Sequence, residues 1–259
     1  MVIDRINPVI IVSSIVRSGT TLVQRLLNSS DNALVFGEHS FQDLLEALNR
    51  HLGKSVFFGH HLDYFRSLSD RVIEKGQDLW SADVLPPIDE YLRECYAGIW
   101  RSTLYHKEFA QSKGRSVWGV KAAGIERGFA DMLYRNLPNA KIIWIRRDLS
   151  DCLASAKSAG IYTDPSQLDY FLNCFNEGQQ LAESLRGQER FLEIEYQDLL
   201  KNPEETIEKL SRFTGAKGIR AEVLNKRLNS ATGTYLKPAP LSEVERERIK
   251  ETQYKPLNQ

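Results

Sequence analysis

The stretch "VIIVSSIVRSGTTLVQRLLN" (9–28) indicates the architecture of the chain. It begins with an apolar, β-branched run, passes through a turn that contains Gly19, and continues with apolar residues at helical spacing. This order of strand, glycine turn and helix is typical of a phosphate-binding loop, in which N–H groups at the start of the helix face an anion. The sequence therefore predicts an anion site where the first strand meets the first helix.

The loop differs from the pattern G-x-x-x-x-G-K-[ST] of ATP- and GTP-binding loops. With Gly19 at the second glycine, Ser14 occupies the first glycine position. Thr20 replaces the lysine that would reach the β- and γ-phosphates. The pattern therefore favours a ligand other than a nucleoside triphosphate.

The loop nevertheless retains the groups that hold an anion. Ser18, Thr20 and Thr21 supply hydroxyls beside the helix N–H groups, and Arg17 adds a fixed positive charge. A sulfuryl group carries one negative charge fewer than a phosphoryl group. Its transfer needs no Mg²⁺ where Arg or Lys side chains cover the charge on the leaving phosphate, so we expect no metal.

Short β-branched runs alternate with longer amphipathic runs along the chain. Strands are predicted at 9–16, 33–36, 116–121, 141–147 and 190–196. Helices are predicted at 20–29, 40–52, 62–75, 88–111, 125–136, 149–159, 166–186, 203–214, 219–228 and 242–252. This alternation predicts an α/β fold: a P-loop-like parallel sheet of about five strands with helices on both faces. We expect a single domain over 1–259, in which 38–115 forms a helical insertion on the substrate side or contributes its aromatic residues to the core.

Composition limits the class of protein. The 259 residues contain 34 Lys and Arg against 34 Asp and Glu, so the net charge of zero argues against a nucleic-acid binder. Three cysteines without a CxxC pair are typical of a reducing compartment. The sequence shows no signal peptide and no apolar stretch of about 20 residues, the length that spans a bilayer. We expect a soluble, cytoplasmic protein without a membrane partner.

A second motif, "RRDLSDCLAS" (146–155), follows the fourth predicted strand. Arg147 at the strand end and Ser155 two turns into the next helix can grip one phosphate dianion. Together with "RSGTT" (17–21), this motif resembles the sulfotransferase family that uses 3′-phosphoadenosine 5′-phosphosulfate (PAPS). The first motif resembles the family's 5′-phosphosulfate loop, in the arginine variant of bacterial and tyrosylprotein sulfotransferases. The second resembles its 3′-phosphate motif.

The resemblance extends from residue 8 to about 240. It implies that Lys121, which ends the segment "WGVK", lies beside the sulfuryl group and stabilises charge on the leaving oxygen. It also implies that Tyr196 ends the last strand and packs on or hydrogen-bonds to the nucleotide, the alternative being a core tyrosine.

Further positions of the resemblance lie near the 3′-phosphate. The segment "SATGTYLKPA" (230–239) is similar to a loop that closes over the nucleotide, with Ser230 and Lys237 as contacts. Tyrosylprotein sulfotransferases also carry an arginine four residues beyond the serine. Ala159 occupies that place here, so the corresponding contact is absent or is supplied from elsewhere.

Transfer requires a base that takes the proton of the acceptor hydroxyl. Glu38 follows the second predicted strand, and it would share an edge with Arg17 if that strand neighbours the first. The resemblance places a catalytic glutamate near this point with a count that differs by one residue. Glu38 is therefore the expected base, with His39 as the alternative.

These residues predict an enzyme that moves a sulfuryl group from PAPS to the hydroxyl or amine of a small-molecule or peptide acceptor and releases PAP, the desulfated nucleotide. Two alternatives remain open at this point. One is a P-loop kinase-like phosphotransferase, and the other is a module that binds PAP without turnover. The sequence indicates neither the acceptor nor the oligomeric state.

Overall fold

The computed structural model of the chain describes residues 6–37, 74, 88–124, 137, 139–226 and 236–253. Within these residues five strands form one sheet, in which every pair of neighbours is parallel. The strands are β1 (Val9–Val12), β2 (Ala33–Phe36), β3 (Val117–Ala122), β4 (Lys141–Arg146) and β5 (Phe191–Glu195). Their spatial order is β2-β3-β1-β4-β5.

Seven α-helices accompany the sheet in the described part of the chain. They are α1 (Thr20–Ser29), α2 (Ile88–Ser112), α3 (Leu149–Ser158), α4 (Leu168–Leu185), α5 (Tyr196–Lys201), α6 (Pro203–Thr214) and α7 (Glu243–Gln253). Helix α6 begins with a proline at its first position and ends at Gly215, whose φ of 82° suits a glycine that terminates a helix. Its ends are therefore fixed by local sequence.

Two apolar layers cover the sheet, because neighbouring residues of each strand point to opposite faces. On one face, Ile10, Trp118 and Trp144 pack with residues of α2 and α4. On the other face, Ile11 and Ile143 pack with residues of α1, α5 and α6. Burial on both faces is typical of a parallel sheet. The predicted α/β fold, with a five-stranded parallel sheet and helices on both faces, is confirmed.

Some predicted boundaries are wrong for local reasons. The first strand ends at Val12, and directly after it the Ser13 hydroxyl reaches forward to donate to the carbonyl of Ile15 at 2.9 Å. The last strand ends at Glu195, and Tyr196 begins helix α5 instead of completing the strand. The helix predicted at 219–228 is a 3₁₀ turn over Ala221–Asn225.

One further predicted helix is divided in the structure, and three others lie mostly outside the described residues. The helix predicted at 166–186 is a 3₁₀ turn (Pro165–Gln167) followed by α4. The helices predicted at 40–52, 62–75 and 125–136 lie outside the described residues, apart from Glu74, which is helical. The predicted insertion spans 38–115. Within it, the structure describes Glu74, helix α2 and Lys113–Arg115.

The order of the strands does not meet the condition on which the placement of Glu38 beside Arg17 was based. Strand β2 does not neighbour β1, because β3 lies between them and pairs with both. Since all strands are parallel, their carboxyl ends still lie at one edge of the sheet, which we call the carboxyl edge. Lys121 therefore stands between the end of β1 and the end of β2.

Candidate functional site

The loop after β1 makes a sharp turn with two residues in the left-handed backbone region. Arg17 has a φ of 68° and Gly19 a φ of 106°, and Arg17 is the one non-glycine residue with positive φ in the described part of the chain. A left-handed conformation costs an arginine about 1–2 kcal/mol. The Ser18 hydroxyl donates to the carbonyl of Ile15 at 2.5 Å and closes the turn. The loop thus delivers the chain into α1 with the helix N-terminus at the carboxyl edge.

Gly19 must be a glycine for a second reason. A Cβ at this position would lie 2.4 Å from Cδ2 of Tyr196, well inside van der Waals contact. The Tyr196 ring therefore packs directly on the backbone of the loop. Because Tyr196 begins α5 directly after β5, this contact joins the loop to the end of a strand that is far away in sequence.

Arg147 follows the last residue of β4 and reaches back to the loop. Its Nη1 donates to the carbonyl of Arg17 at 2.8 Å, and its guanidinium carbon lies 4.2 Å from the centroid of the Tyr196 ring. The side chain is 15% exposed, and Nε lies 3.8 Å from Oδ2 of Asp151. Nε is buried and makes no hydrogen bond within the described residues. A buried donor of this kind is costly unless a ligand satisfies it.

Ser155 lies on α3, which begins after the helix cap Asp148 and points its first turn toward the carboxyl edge. The Ser155 side chain is buried, and its Oγ accepts a hydrogen bond from Nε of Arg17 at 3.1 Å. The structure therefore brings together three predicted residues, Arg17, Arg147 and Ser155. They come from two separate motifs, and Arg17 and Ser155 are 138 residues apart in the sequence.

Lys121 lies on the other side of the loop. It is buried at the end of β3, and its Nζ lies 3.3 Å from Oγ1 of Thr21. Thr20 is buried at the start of α1. The predicted lysine and the two predicted threonines thus lie at the carboxyl edge of the sheet.

The remaining predicted residues are placed less completely. Lys237 is exposed, and its carbonyl accepts a hydrogen bond from the Ser158 hydroxyl, one turn after Ser155 on α3. Glu38, His39 and Ser230 lie outside the described residues.

Two features of the site were not predicted. Asp151 faces Nε of Arg147, and its position four residues later at a helix start is a signal that could have indicated the pair. The packing of Tyr196 on Gly19 has no local signal, because it depends on where β5 and α5 lie in the sheet.

Cys152 lies near this cluster but does not supply a nucleophile. Burial raises the pKa of its thiol to about 12, although the nearby Arg147 opposes the shift. The thiol is therefore protonated at neutral pH and packs as a small apolar group between α3 and its neighbours.

A sequence model of the sulfotransferase family matches residues 8–217, and the chain belongs to the sulfotransferase family. The resemblance drawn from the two motifs is thus confirmed at the level of the family. Both motifs lie within the matched range.

Several solved structures are similar to this chain. The sulfotransferase domain of the Synechococcus PCC 7002 olefin synthase is 16% identical, with a TM-score of 0.43, and the match covers 97% of this chain and 96% of that domain. A sulfotransferase from Alicyclobacillus acidocaldarius is 11% identical, with a TM-score of 0.48 and coverage of 95% and 91%. A mouse sulfotransferase solved in complex with PAP is 13% identical, with a TM-score of 0.45 and coverage of 85% and 62%.

None of the helices in the described ranges combines the length and the apolar character that crossing a membrane requires.

Proposed function

We propose that this sulfotransferase transfers a sulfuryl group from PAPS to the hydroxyl or amine of a small-molecule or peptide acceptor in the cytoplasm. The observation that carries the proposal is the junction of Arg17, Arg147 and Ser155 beside a phosphate loop that lacks a lysine. Such a junction offers charge and hydrogen bonds to two anionic groups of one nucleotide, one at each motif. Membership of the family gives no support to the kinase alternative.

The residues fit the donor in charge and in hydrogen-bonding capacity. The N–H groups of α1, the backbone of Gly19 and the hydroxyls of Thr20 and Thr21 would hold the 5′-phosphosulfate. Ser18 would contribute its backbone N–H, because its hydroxyl donates to the Ile15 carbonyl. Arg147 and Ser155 would hold the 3′-phosphate, and the buried Nε of Arg147 would gain its hydrogen-bond acceptor there. Tyr196, Ser230 and Lys237 would complete the nucleotide site.

The proposed reaction is an in-line displacement at sulfur. The acceptor oxygen forms a bond to sulfur while the bond between sulfur and the 5′-phosphate oxygen breaks, and that oxygen keeps the electron pair. Arg17 and Lys121 neutralise the negative charge that develops on it. The acceptor proton passes to a base, and the products are the sulfated acceptor and PAP.

We propose Glu38 as this base. Two side chains of α1 hold strand β2, which leads to Glu38: the amide of Asn28 donates to the carbonyl of Val35 at 2.9 Å, and that of Gln24 donates to the same carbonyl at 3.1 Å. The strand is therefore tied to the helix that begins at the phosphate loop, although β3 separates it from β1. Glu38 follows the end of β2 by two residues, so the chain that leads to it leaves the sheet at the carboxyl edge. His39 is the alternative that a Glu38→Gln variant distinguishes.

The experiment compares thermal stabilisation by PAP, ADP, AMP and ATP with Mg²⁺ for the wild type, Arg147→Ala and Arg146→Ala. Arg146 is a matched control, because it ion-pairs with Glu193 at 3.7 Å and also contacts Glu195, away from the loop. We expect PAP to stabilise the wild type and the control, but not Arg147→Ala. Equal stabilisation by PAP and ADP would overturn the proposal.

Turnover is measured separately with labelled PAPS and a panel of phenols, alcohols, amines and peptides. We expect one acceptor class to be sulfated, with activity lost in Glu38→Gln. Binding of PAP without transfer to any acceptor would replace the enzyme with a binding module.

A further inference from the structure

The C-terminal segment 236–253, which lies beyond the range matched by the family, packs on helix α3. Backbone N–H of Ala239 donates to the carbonyl of Ala154 at 3.1 Å, and the Ser158 hydroxyl donates to the carbonyl of Lys237 at 2.7 Å. Leu241 and Ile249 are buried in a cluster with residues of α3. The segment therefore holds the helix that carries Ser155.

Glu245 is the polar centre of this contact. Its side chain on α7 is 5% exposed, and its carboxylate accepts from Nζ of Lys157 on α3 at 3.1 Å and from the backbone N–H of Ser242 at 2.5 Å. The buried hydroxyl of Tyr162 lies beside the same carboxylate. A buried carboxylate with several donors is held in one direction, which apolar packing alone does not achieve.

Lys157 and Ser155 lie two residues apart on α3, so their side chains leave the helix about 200° apart. One side of the helix is therefore bonded to Glu245, and the other side presents Ser155 to Nε of Arg17. A shift or rotation of α3 would move the Ser155 hydroxyl away from both Arg17 and the proposed 3′-phosphate.

We propose that Glu245 is a positioning residue that sets α3, and through it Ser155, for the 3′-phosphate of the sulfuryl donor. The proposal rests on the proposed function, because it concerns the same nucleotide site. It assigns to the C-terminal segment a part in donor affinity in addition to its part in stability.

The test measures the Kd of PAP by calorimetry for the wild type, Glu245→Gln and Lys157→Met. Glu245→Gln should weaken PAP about 5-fold, which is within the range of indirect coupling in proteins. The KM for PAPS should rise by a similar factor while the KM for the acceptor stays unchanged. Arg248→Ala is the matched control, since it breaks a contact of α7 with Asp169 on α4 and leaves α3 untouched. It should change the Kd by less than about twofold.

A background variant separates positioning from stability. In Ser155→Ala, Glu245→Gln should cause no further loss of PAP affinity, because the hydroxyl that it positions is absent. The same fold-loss in both backgrounds, or an unchanged Kd in a folded Glu245→Gln, would overturn the inference.

The remaining outcomes are also decisive. Far-UV circular dichroism establishes that each variant is folded at the assay temperature. If Glu245→Gln does not fold, Lys157→Met decides the question by the same two measurements. If the wild type binds no PAP, the proposed function fails and this inference fails with it. If Ser155→Ala weakens PAP but neither Glu245→Gln nor Lys157→Met does, the inference alone fails.

Discussion

Nε of Arg17 donates a hydrogen bond to Oγ of Ser155 at 3.1 Å, and this contact joins the loop after β1 to the helix after β4. The two residues belong to the motifs that the sequence assigned to opposite ends of one nucleotide. Because of this hydrogen bond, we expect a substitution in either motif to change the position of the side chains in the other.

Removing the hydroxyl in Ser155→Ala should weaken PAP binding by about 10- to 150-fold, because a hydrogen bond to a charged group contributes about 1.5–3 kcal/mol. Isothermal titration calorimetry measures this loss. Ser184→Ala serves as the control, since its hydroxyl donates to the carbonyl of Leu181 within α4 at 2.7 Å. An unchanged Kd in Ser155→Ala would contradict the assignment of this serine to the nucleotide.

Arg17→Gly should separate backbone strain from charge. Glycine adopts the φ of 68° without strain, which offsets the lost hydrogen bond to Ser155, so the thermal midpoint should change little. In contrast, kcat should fall about 100-fold, because the leaving group loses a cation. Arg17→Lys keeps the charge and should recover part of the rate. A drop in stability together with normal kcat would refute this account.

Gly19→Ala should destabilise the fold by about 1–3 kcal/mol, because the new methyl group meets the Tyr196 ring and the backbone is left-handed. Chemical denaturation measures the change. Combining it with Tyr196→Ala should cost less than the sum of the two single changes, since the clash is then removed. Strict additivity would show that the ring is not the obstacle.

Lys121→Met preserves the buried stem and removes the charge 3.3 Å from the Thr21 hydroxyl. We expect kcat to fall about 100-fold, with a smaller change in the Kd of PAP, because the lysine acts on charge that develops during transfer. Rapid-quench turnover and calorimetry provide the two numbers. A loss confined to Kd would instead make Lys121 a binding residue.

Glu245 should make part of the stability depend on pH. Burial raises its pKa, but the nearby Tyr162 hydroxyl, the backbone N–H of Ser242 and the ammonium group of Lys157 outweigh burial and lower the pKa from 4.5 to about 2. A carboxyl with a depressed folded-state pKa stabilises the protein above pH 4.5, and this contribution is lost as the pH falls toward 2. Urea unfolding should show that Glu245→Gln costs on the order of 2–3 kcal/mol at pH 7 and clearly less at pH 3. A pH-independent cost would contradict the shift.

Strands β1 to β4 were predictable because each is mainly a short apolar run, which can be recognised without knowledge of its neighbours. Strand β5 is less apolar, because it carries Glu193 and Glu195. The order of the strands in the sheet could not be predicted from the sequence. Whether β3 or β2 lies beside β1 depends on a crossover of many residues, and nothing local in "ALVF" (33–36) encodes it.

The candidate site was also only partly predictable from the sequence. Arg17 and Gly19 could be proposed from a single turn, and Arg147 with Ser155 from one helical spacing. The hydrogen bonds from Arg147 to the Arg17 carbonyl and from Arg17 to Ser155 depend on β1 and β4 being neighbours, which only the folded sheet determines. Tyr196 shows the limit most clearly, because its sequence context predicted a strand end whereas the chain turns there into α5.

The guanidinium of Arg147 rests on the Tyr196 ring and donates to the Arg17 carbonyl, so groups of the protein itself hold this side chain. A free arginine side chain loses up to about 2 kcal/mol of rotational entropy when it is immobilised. Because both contacts are made within the protein, we assign that loss of entropy to folding. At the proposed nucleotide site, Arg147 would therefore bind through electrostatics, without the cost of ordering a flexible side chain.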